Sequence, residues 1–424
     1  MDYLYMLSRF ITISIIILLV FLVEWYVFQA IRTVTQSLSL RYQRLIFWLF
    51  WGVFVITAIT TFVAILTPRS SHSHYQTYLI NTLFAIFAGK LVIVVFLLLD
   101  DGIRLLKFIV NYIFATAPNM PDAGKIKISR NEFLNKIALG VGAIPTVALL
   151  YGMVKGAYQY QVKKVTLQFP NLPQAFDGYK ILQITDLHAG SFTSINPLKK
   201  AVAIINKQNP DLFLFTGDLV NNRANEVFPH IATLKQIKAK DGCYSILGNH
   251  DYGDYVSWES QEAKVKNLNR LKQAHQEIGW RLLLNEHILL EKEGVQIAVL
   301  GVENWSTRMN FPKYGNLAKA YAGSETIPFK LLLSHDPSHW DGEINTKFQN
   351  IDLTLSGHTH GMQFGINIPG LRWSPVQYVY KQWAGLYQKN KQFLYVNVGL
   401  GFLGYPGRVG FLPEITLIEL RSKK

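Results

Sequence analysis

Polar positions are rare over the first 154 residues, where long apolar stretches follow one another. Beyond Tyr158 the pattern changes to short apolar runs divided by polar, glycine and proline segments. Residues 10–30, 45–66 and 78–99 each reach the roughly 20 residues a helix needs to cross a bilayer. A fourth stretch, 137–154, is shorter and holds Gly140, Gly142, Pro145 and Gly152, but it carries no charge and reads as a further span. The pattern therefore predicts an α-helical membrane region of about four spans over residues 1–157.

Residues 158–424 read as a separate domain. Strand-like runs occupy 164–169, 180–184, 212–215, 244–247, 296–300, 330–333, 352–355, 393–396 and 415–419. Helical stretches such as 196–208 and 257–278 lie between them, and no internal repeat is evident. Alternation of this kind predicts an α/β fold with buried sheets.

Charge refines the membrane reading. The net charge is +14, yet no Lys/Arg run interleaved with aromatics appears, so nucleic acid is not an expected partner. The cations instead flank the spans. Arg32, Arg41, Arg44, Arg104, Lys107, Lys125, Lys127, Arg130 and Lys136 lie on one side; Arg9, Arg69, Lys155, Lys163 and Lys164 lie on the other. Nine against five predicts an N-terminus and a C-terminal domain that both face outward. Residues 129–134 resemble a twin-arginine export signal, departing from it at Asn131; a polar helix start is the alternative reading. Two ionisable residues, Glu24 and Lys90, fall inside spans at similar depth and are expected to pair. The alternative places Glu24, beside Trp25 and Tyr26, at the membrane interface. His72 and His74 in a serine-rich loop read as solvated. The single cysteine, Cys243, rules out an intramolecular disulfide and a cysteine-based zinc cluster, and its apolar setting predicts a buried strand position.

Candidate chemistry sits where strands end. Asp186-Leu187-His188 follows the run 180–184; alternate side chains of an extended segment face one way, so this pair suits one cation. Gly217-Asp218 ends 212–215, and the two oxygens of Asp218 can serve two metals. Gly248-Asn249-His250-Asp251 joins an amide oxygen suited to a hard cation with a histidine able to reach a bound phosphate. His335 in Ser334-His335-Asp336 reads as a metal ligand rather than a member of a serine triad, whose parts meet from separated positions. In Gly357-His358-Thr359-His360-Gly361 two histidines at i and i+2 share a face between glycines. Each motif alone also reads as a turn, cap or core residue; five in succession, each at a strand end, point to a binding centre.

The order D-x-H, G-D, G-N-H-D, H, G-H-x-H resembles that of the calcineurin-like metallophosphoesterases, and membrane-anchored bacterial members are most similar. They share a last block, here Asn397-Val398-Gly399-Leu400-Gly401 followed by Pro413-Glu414-Ile415. The resemblance covers nearly all of residues 164–424. It implies two mixed β-sheets flanked by helices and two divalent cations, manganese, iron or zinc. One cation would be held by Asp186, His188, Asp218 and His360, and the other by Asp218, Asn249, His335 and His358. A hydroxide between the cations would attack the phosphorus of a phosphomono- or diester. His250 would protonate the leaving oxygen with Asp251 orienting it, and Asn249, His250 and Arg408 would contact substrate. A surface role is the alternative for Arg408. Met362 and Asn304 depart from the family pattern, which commonly has glycine and aspartate there.

Anchoring predicts a lipid- or envelope-linked substrate at a bacterial inner membrane, with the catalytic domain extracytoplasmic. A UDP-diacylglucosamine-type precursor fits the anchoring but is cytoplasmic. The rival reading is an inactive membrane sensor or binding module on the same fold. Such a module should lack a ligand, and here every position is filled.

Overall fold

The computed structural model describes residues 2–66, 73–114, 132–308 and 311–423 and divides into two units, Met1–Leu150 and Tyr151–Lys424. Arg69, His72, Lys125, Lys127, Arg130 and the first half of the export-signal-like segment, residues 129–131, lie outside the described residues.

The first unit is built from α1 (Asp2–Thr35), α2 (Leu40–Leu66), α3 (His74–Phe114) and most of α4 (Glu132–Val154). All four are long and apolar enough to cross a membrane, which makes this a membrane protein. α3 continues well past the expected end at residue 99, through Asp100 and Arg104, which pair at 2.9 Å across one helical turn. Glu24 and Lys90 do pair: the lysine Nζ lies 2.7 Å from both carboxylate oxygens, and both residues are buried. The Phe50 ring lies 4.6 Å from the same ammonium. The interfacial reading of Glu24 is set aside.

Among the described residues of the second unit, fourteen strands form two six-stranded sheets and a hairpin. The first sheet has the order β1 (Gln161–Phe169), β14 (Glu414–Ser422), β2 (Lys180–Ile184), β3 (Leu212–Phe215), β4 (Cys243–Ser245), β5 (Arg281–Leu282). The second has the order β12 (Gly385–Lys389), β13 (Gln392–Val396), β9 (Leu353–Ser356), β8 (Lys330–Leu333), β7 (Val295–Gly301), β6 (Glu286–Lys292). β10 (Ile366–Ile368) and β11 (Leu371–Trp373) make the separate antiparallel hairpin. In each large sheet the strands that lead to the candidate motifs run parallel: β2, β3 and β4 in one, β8 and β9 in the other. The side chains of β2 after Lys180, and of β3, β8 and β9, are buried on both faces, hence the near-continuous apolar runs.

Three layers of apolar contact hold this arrangement. Ile181, Leu212 and Leu214 of the first sheet meet Val299, Leu331 and Leu353 of the second. The outer face of the first sheet packs Leu182, Phe213 and Phe215 against α5 (Asn196–Lys207) and the helix Gln261–Ile278. The second sheet's outer face is covered by Leu317, Ala320, Trp340 and Ile344. Helices thus flank two mixed sheets, as expected. The helix expected from residue 257 starts at Gln261 because Ser260 caps it, its hydroxyl accepting from the Ala263 amide at 3.2 Å. Cys243 lies on β4 but is half-buried, and burial pushes its thiol up to about 11.

Candidate metal centre

Within each sheet the parallel strands end in register, Ile184 beside Phe215 and Phe215 beside Ser245 in one, Leu333 beside Leu355 in the other, and the chain turns sharply after β2, β3 and β9. Asp186, His188, Asp218, His358 and His360 all adopt positive φ, between 48° and 72°. That backbone is uncommon outside glycine and marks strained, functional turns. The loops also approach closely. A Cβ on Gly248 would meet the Asp218 Oδ1 at 2.2 Å, and one on Gly357 would meet the Asp186 Oδ2 at 2.2 Å. Behind the first loop, the Leu400 and Gly401 amides of the last block donate to the Thr185 and Asp186 carbonyls, each at 2.9 Å.

Two donor clusters result: Asp186, His188 and His360, and Asp218, His335 and His358, each with ligand atoms within 4.8 Å of one another. In the first, the Nε2 atoms of His188 and His360 are 3.1 Å apart, and the latter is 3.1 Å from Asp186 Oδ1. In the second, Asn249 Oδ1 lies 3.1 Å from His335 Nε2 and 2.7 Å from His358 Nδ1. Asp218 Oδ2 lies between the clusters, 3.2 Å from His335 Nε2 and 3.6 Å from His188 Nε2.

Whether these residues fit cations can be read from their outer hydrogen bonds. His335 Nδ1–H donates to the Thr216 carbonyl at 2.8 Å, which turns the Nε2 lone pair inward. His358 Nε2 bonds the Tyr380 hydroxyl at 2.8 Å, and that hydroxyl donates onward to Asp336 at 3.3 Å, so Nδ1 turns inward as an acceptor. The Asn249 Nδ2 donates to the Tyr255 hydroxyl at 2.8 Å, which aims the amide oxygen into the same space. Imidazole, amide and carboxylate lone pairs thus converge where a divalent cation would resolve their repulsion. Protein charge offers a partial substitute. Burial opposes ionisation of Asp186 and Asp218, but His360 beside the first and His335 beside the second hold both carboxyls below their usual range. His335 in turn is pushed up to about 10; burial opposes this and the Asp218 charge outweighs it. His188, where burial dominates, is driven down to about 3.

All seven expected ligands are therefore brought together. His250 joins them: its amide donates to Asp218 Oδ1 at 2.9 Å, and its Nδ1–H donates to the Asn221 carbonyl at 2.8 Å, which fixes the ring. One expectation needs correction. Asp251 does not orient the His250 ring. Its buried carboxylate accepts from the amides of Leu219 (2.8 Å) and Val220 (3.2 Å) on Oδ1, and of Asp218 and Gly248 (both 2.9 Å) on Oδ2. The surface alternative for Arg408 is also excluded. The residue is buried, donating from Nε and Nη2 to the Gly401 carbonyl and from Nη1 to that of Phe411. Its Nη2 also lies 3.2 Å from His360 Nδ1, an outer contact unlike the acceptors that face His335 and His358.

Sequence reasoning passed over Tyr255 and Tyr380. Neither sits in a recognisable motif, and folding alone brings them to their ligands. Asp336 was visible beside His335 but not as the anchor of Tyr380.

Comparison with known proteins agrees with this geometry. Residues 8–157 match the model described as probable calcineurin-like phosphoesterase, transmembrane domain, and residues 179–362 match that of calcineurin-like phosphoesterase. The chain is 31% identical over 307 residues to the uncharacterized metallophosphoesterase YkuE of Bacillus subtilis, covering 70% of this chain and 99% of that protein. It is 26% identical over 294 residues to the uncharacterized metallophosphoesterase YkoQ of the same organism, covering 67% and 99%. A transmembrane protein with metallophosphoesterase domain from Danio rerio is 29% identical over 286 residues, covering 66% of this chain and 61% of its own length. The alignment thus spans about three fifths of that vertebrate relative.

Proposed function

Because the chain belongs to the calcineurin-like metallophosphoesterase family, we propose that it is a membrane-anchored, two-cation hydrolase of a lipid- or envelope-linked phosphomono- or diester. Residues 1–157 anchor it and residues 158–424 carry the chemistry. Asp186, His188, Asp218 and His360 would hold one cation, and Asp218, Asn249, His335 and His358 the other. The observation that carries this reading is the position of Asp218 Oδ2, within 3.6 Å of a histidine from each cluster. When bound, the cations supply Lewis acidity toward phosphoryl oxygens and lower the pKa of water.

The chain's own groups do the rest. His250, held through Nδ1, presents Nε2 to the phosphate and gives the departing oxygen its proton. Asn249 binds with its oxygen turned to the second cluster and its amide nitrogen toward the Tyr255 side of the mouth. Asp251 fixes the loop that carries Asp218. The catalytic domain is assigned to the extracytoplasmic face of a bacterial inner membrane, on the nine-to-five excess of cations in the opposite loops. That placement argues against a cytoplasmic nucleotide–lipid precursor, and no nucleic-acid partner is expected.

Purified full-length protein should hydrolyse bis(p-nitrophenyl) phosphate with added manganese. Asp218→Asn and His250→Ala should each lower turnover on the order of 10²-fold or more, the scale of a lost acid–base group. Full activity in both folded variants would overturn the assignment. A reporter fused to the C-terminus tests the membrane face.

A further inference from the structure

The metal loop leads directly into the hairpin β10–β11, whose surface is unlike that of the rest of the catalytic domain. Residues 366–372 are exposed without interruption. Ile368 and Leu371 face each other beside the Pro369-Gly370 turn and are 58% and 49% exposed. Ile366, opposite Trp373, is exposed on the same hairpin; Tyr378, 78% exposed, accepts from the Trp373 indole N–H at 3.4 Å, and its neighbour Val379 and Met362 of the metal loop are exposed as well. Single exposed apolar residues are ordinary, but a contiguous patch marks an interaction surface. Its margin carries the exposed cations Arg372 and Lys381 and the aromatic Trp373. Aliphatic tip, aromatic flank and basic margin together are the composition of segments that lie in a lipid interface.

The position of the hairpin says what covers it. At its base the Gly365 amide donates to the Val409 carbonyl at 3.0 Å, and the Val409 amide donates to that of Gln363 at 2.8 Å. The adjacent Arg408 amide donates to the Gly152 carbonyl at 3.2 Å, in the last turn of α4, where the chain leaves its apolar span. On the other side, the Ser374 hydroxyl donates to the Gly361 carbonyl at 2.9 Å, within the loop that carries His360. One compact segment therefore touches both the end of a membrane span and the metal loop.

We propose that the β10–β11 hairpin, with Tyr378 and Val379, docks into the lipid surface. Lipid rather than a second protein is the occupant, because the root of the hairpin is bonded to the chain at its exit from the span. The docking stands independently of catalysis. Its consequence, that the mouth of the centre meets headgroup phosphoesters at the membrane plane, rests on the phosphoesterase reading above.

The test uses full-length protein carrying Cys243→Ser in nanodiscs, with one new cysteine bearing an NBD probe. With Ile368→Cys, the emission should shift blue and fall about twofold when doxyl-labelled acyl chains are present, since interfacial elements sit roughly 5–10 Å into the headgroup boundary. A probe at Val265→Cys, exposed on the helix Gln261–Ile278, should show neither change. Introducing Ile368→Asp with Leu371→Asp should abolish quenching of a probe at Tyr378→Cys while hydrolysis of bis(p-nitrophenyl) phosphate is retained. An unquenched probe at position 368 in protein that still turns over that substrate would overturn the proposal, as would cross-linking of that position to a second copy in place of quenching. Quenching without any turnover would sustain docking and sink the enzymatic reading instead.

Discussion

Replacing Asp251 by asparagine separates a structural role from a catalytic one. The carboxylate takes two backbone N–H groups on each oxygen, and all four come from the loops that carry Asp218 and Asn249. An amide keeps one such pair whichever way it is turned. Its NH2 then faces the other two donors, which lose their acceptor in a site closed to solvent. Each orphaned buried donor costs about 1–3 kcal/mol, so Asp251→Asn should destabilise by about 2–6 kcal/mol. For a domain of this size that corresponds to a fall in Tm on the order of 5–15 °C. Thermal unfolding of the full chain in nanodiscs, with and without manganese, reads this directly. Manganese affinity should weaken as well, since the loop that presents Asp218 loosens, while the pH profile of the remaining activity keeps its shape. An unchanged Tm with a shifted pH profile would refute the argument and restore Asp251 as a partner of His250.

Three further outcomes follow from contacts already described. Lys90→Met should destabilise the membrane unit by about 3–5 kcal/mol by stranding Glu24, and reversing both charges together should recover expression lost in either single reversal. Failure of the double reversal would mean the contact contributes nothing specific. Tyr380→Phe removes the hydroxyl that bridges His358 and Asp336 and should weaken one manganese site about 10-fold or more, seen by titration calorimetry, while leaving the other unchanged. Equal weakening of both sites would show that the hydroxyl does not act through His358. Met362→Gly should stabilise the protein by about 0.5–1 kcal/mol, because the methionine is exposed and held at φ 55°, a region costing roughly 1–2 kcal/mol for a side-chain-bearing residue. A lower Tm would show that the side chain packs in a way that outweighs the strain.

What the sequence made legible depended on burial. β2, β3 and β8 match their expected bounds because strands covered on both faces are written as unbroken apolar runs. β6, reading Glu286-His287-Ile288-Leu289-Leu290-Glu291-Lys292, lies at a sheet edge with polar ends, and β5 has two residues; neither leaves such a run. The ligands were legible because chemistry requires particular residue types directly after buried strands. Their supports were not. An arginine after Pro406-Gly407 looks the same in sequence whether it ends in solvent or, like Arg408, against carbonyl oxygens in the interior. Adjacency misled at His250-Asp251, since the ring is held by the Asn221 carbonyl while the carboxylate is taken up by backbone amides.

The first sheet also has a consequence for how the chain is made. β14, the last strand of the catalytic domain, lies between β1 and β2, its residues in register with both. β1 has no other partner in its sheet, and β2 has β3 on one side only, until residues 414–422 have been made, so the first sheet cannot close before then. A frameshift removing only the final strand would leave two open sheet edges side by side, a product that aggregates rather than a weakened enzyme.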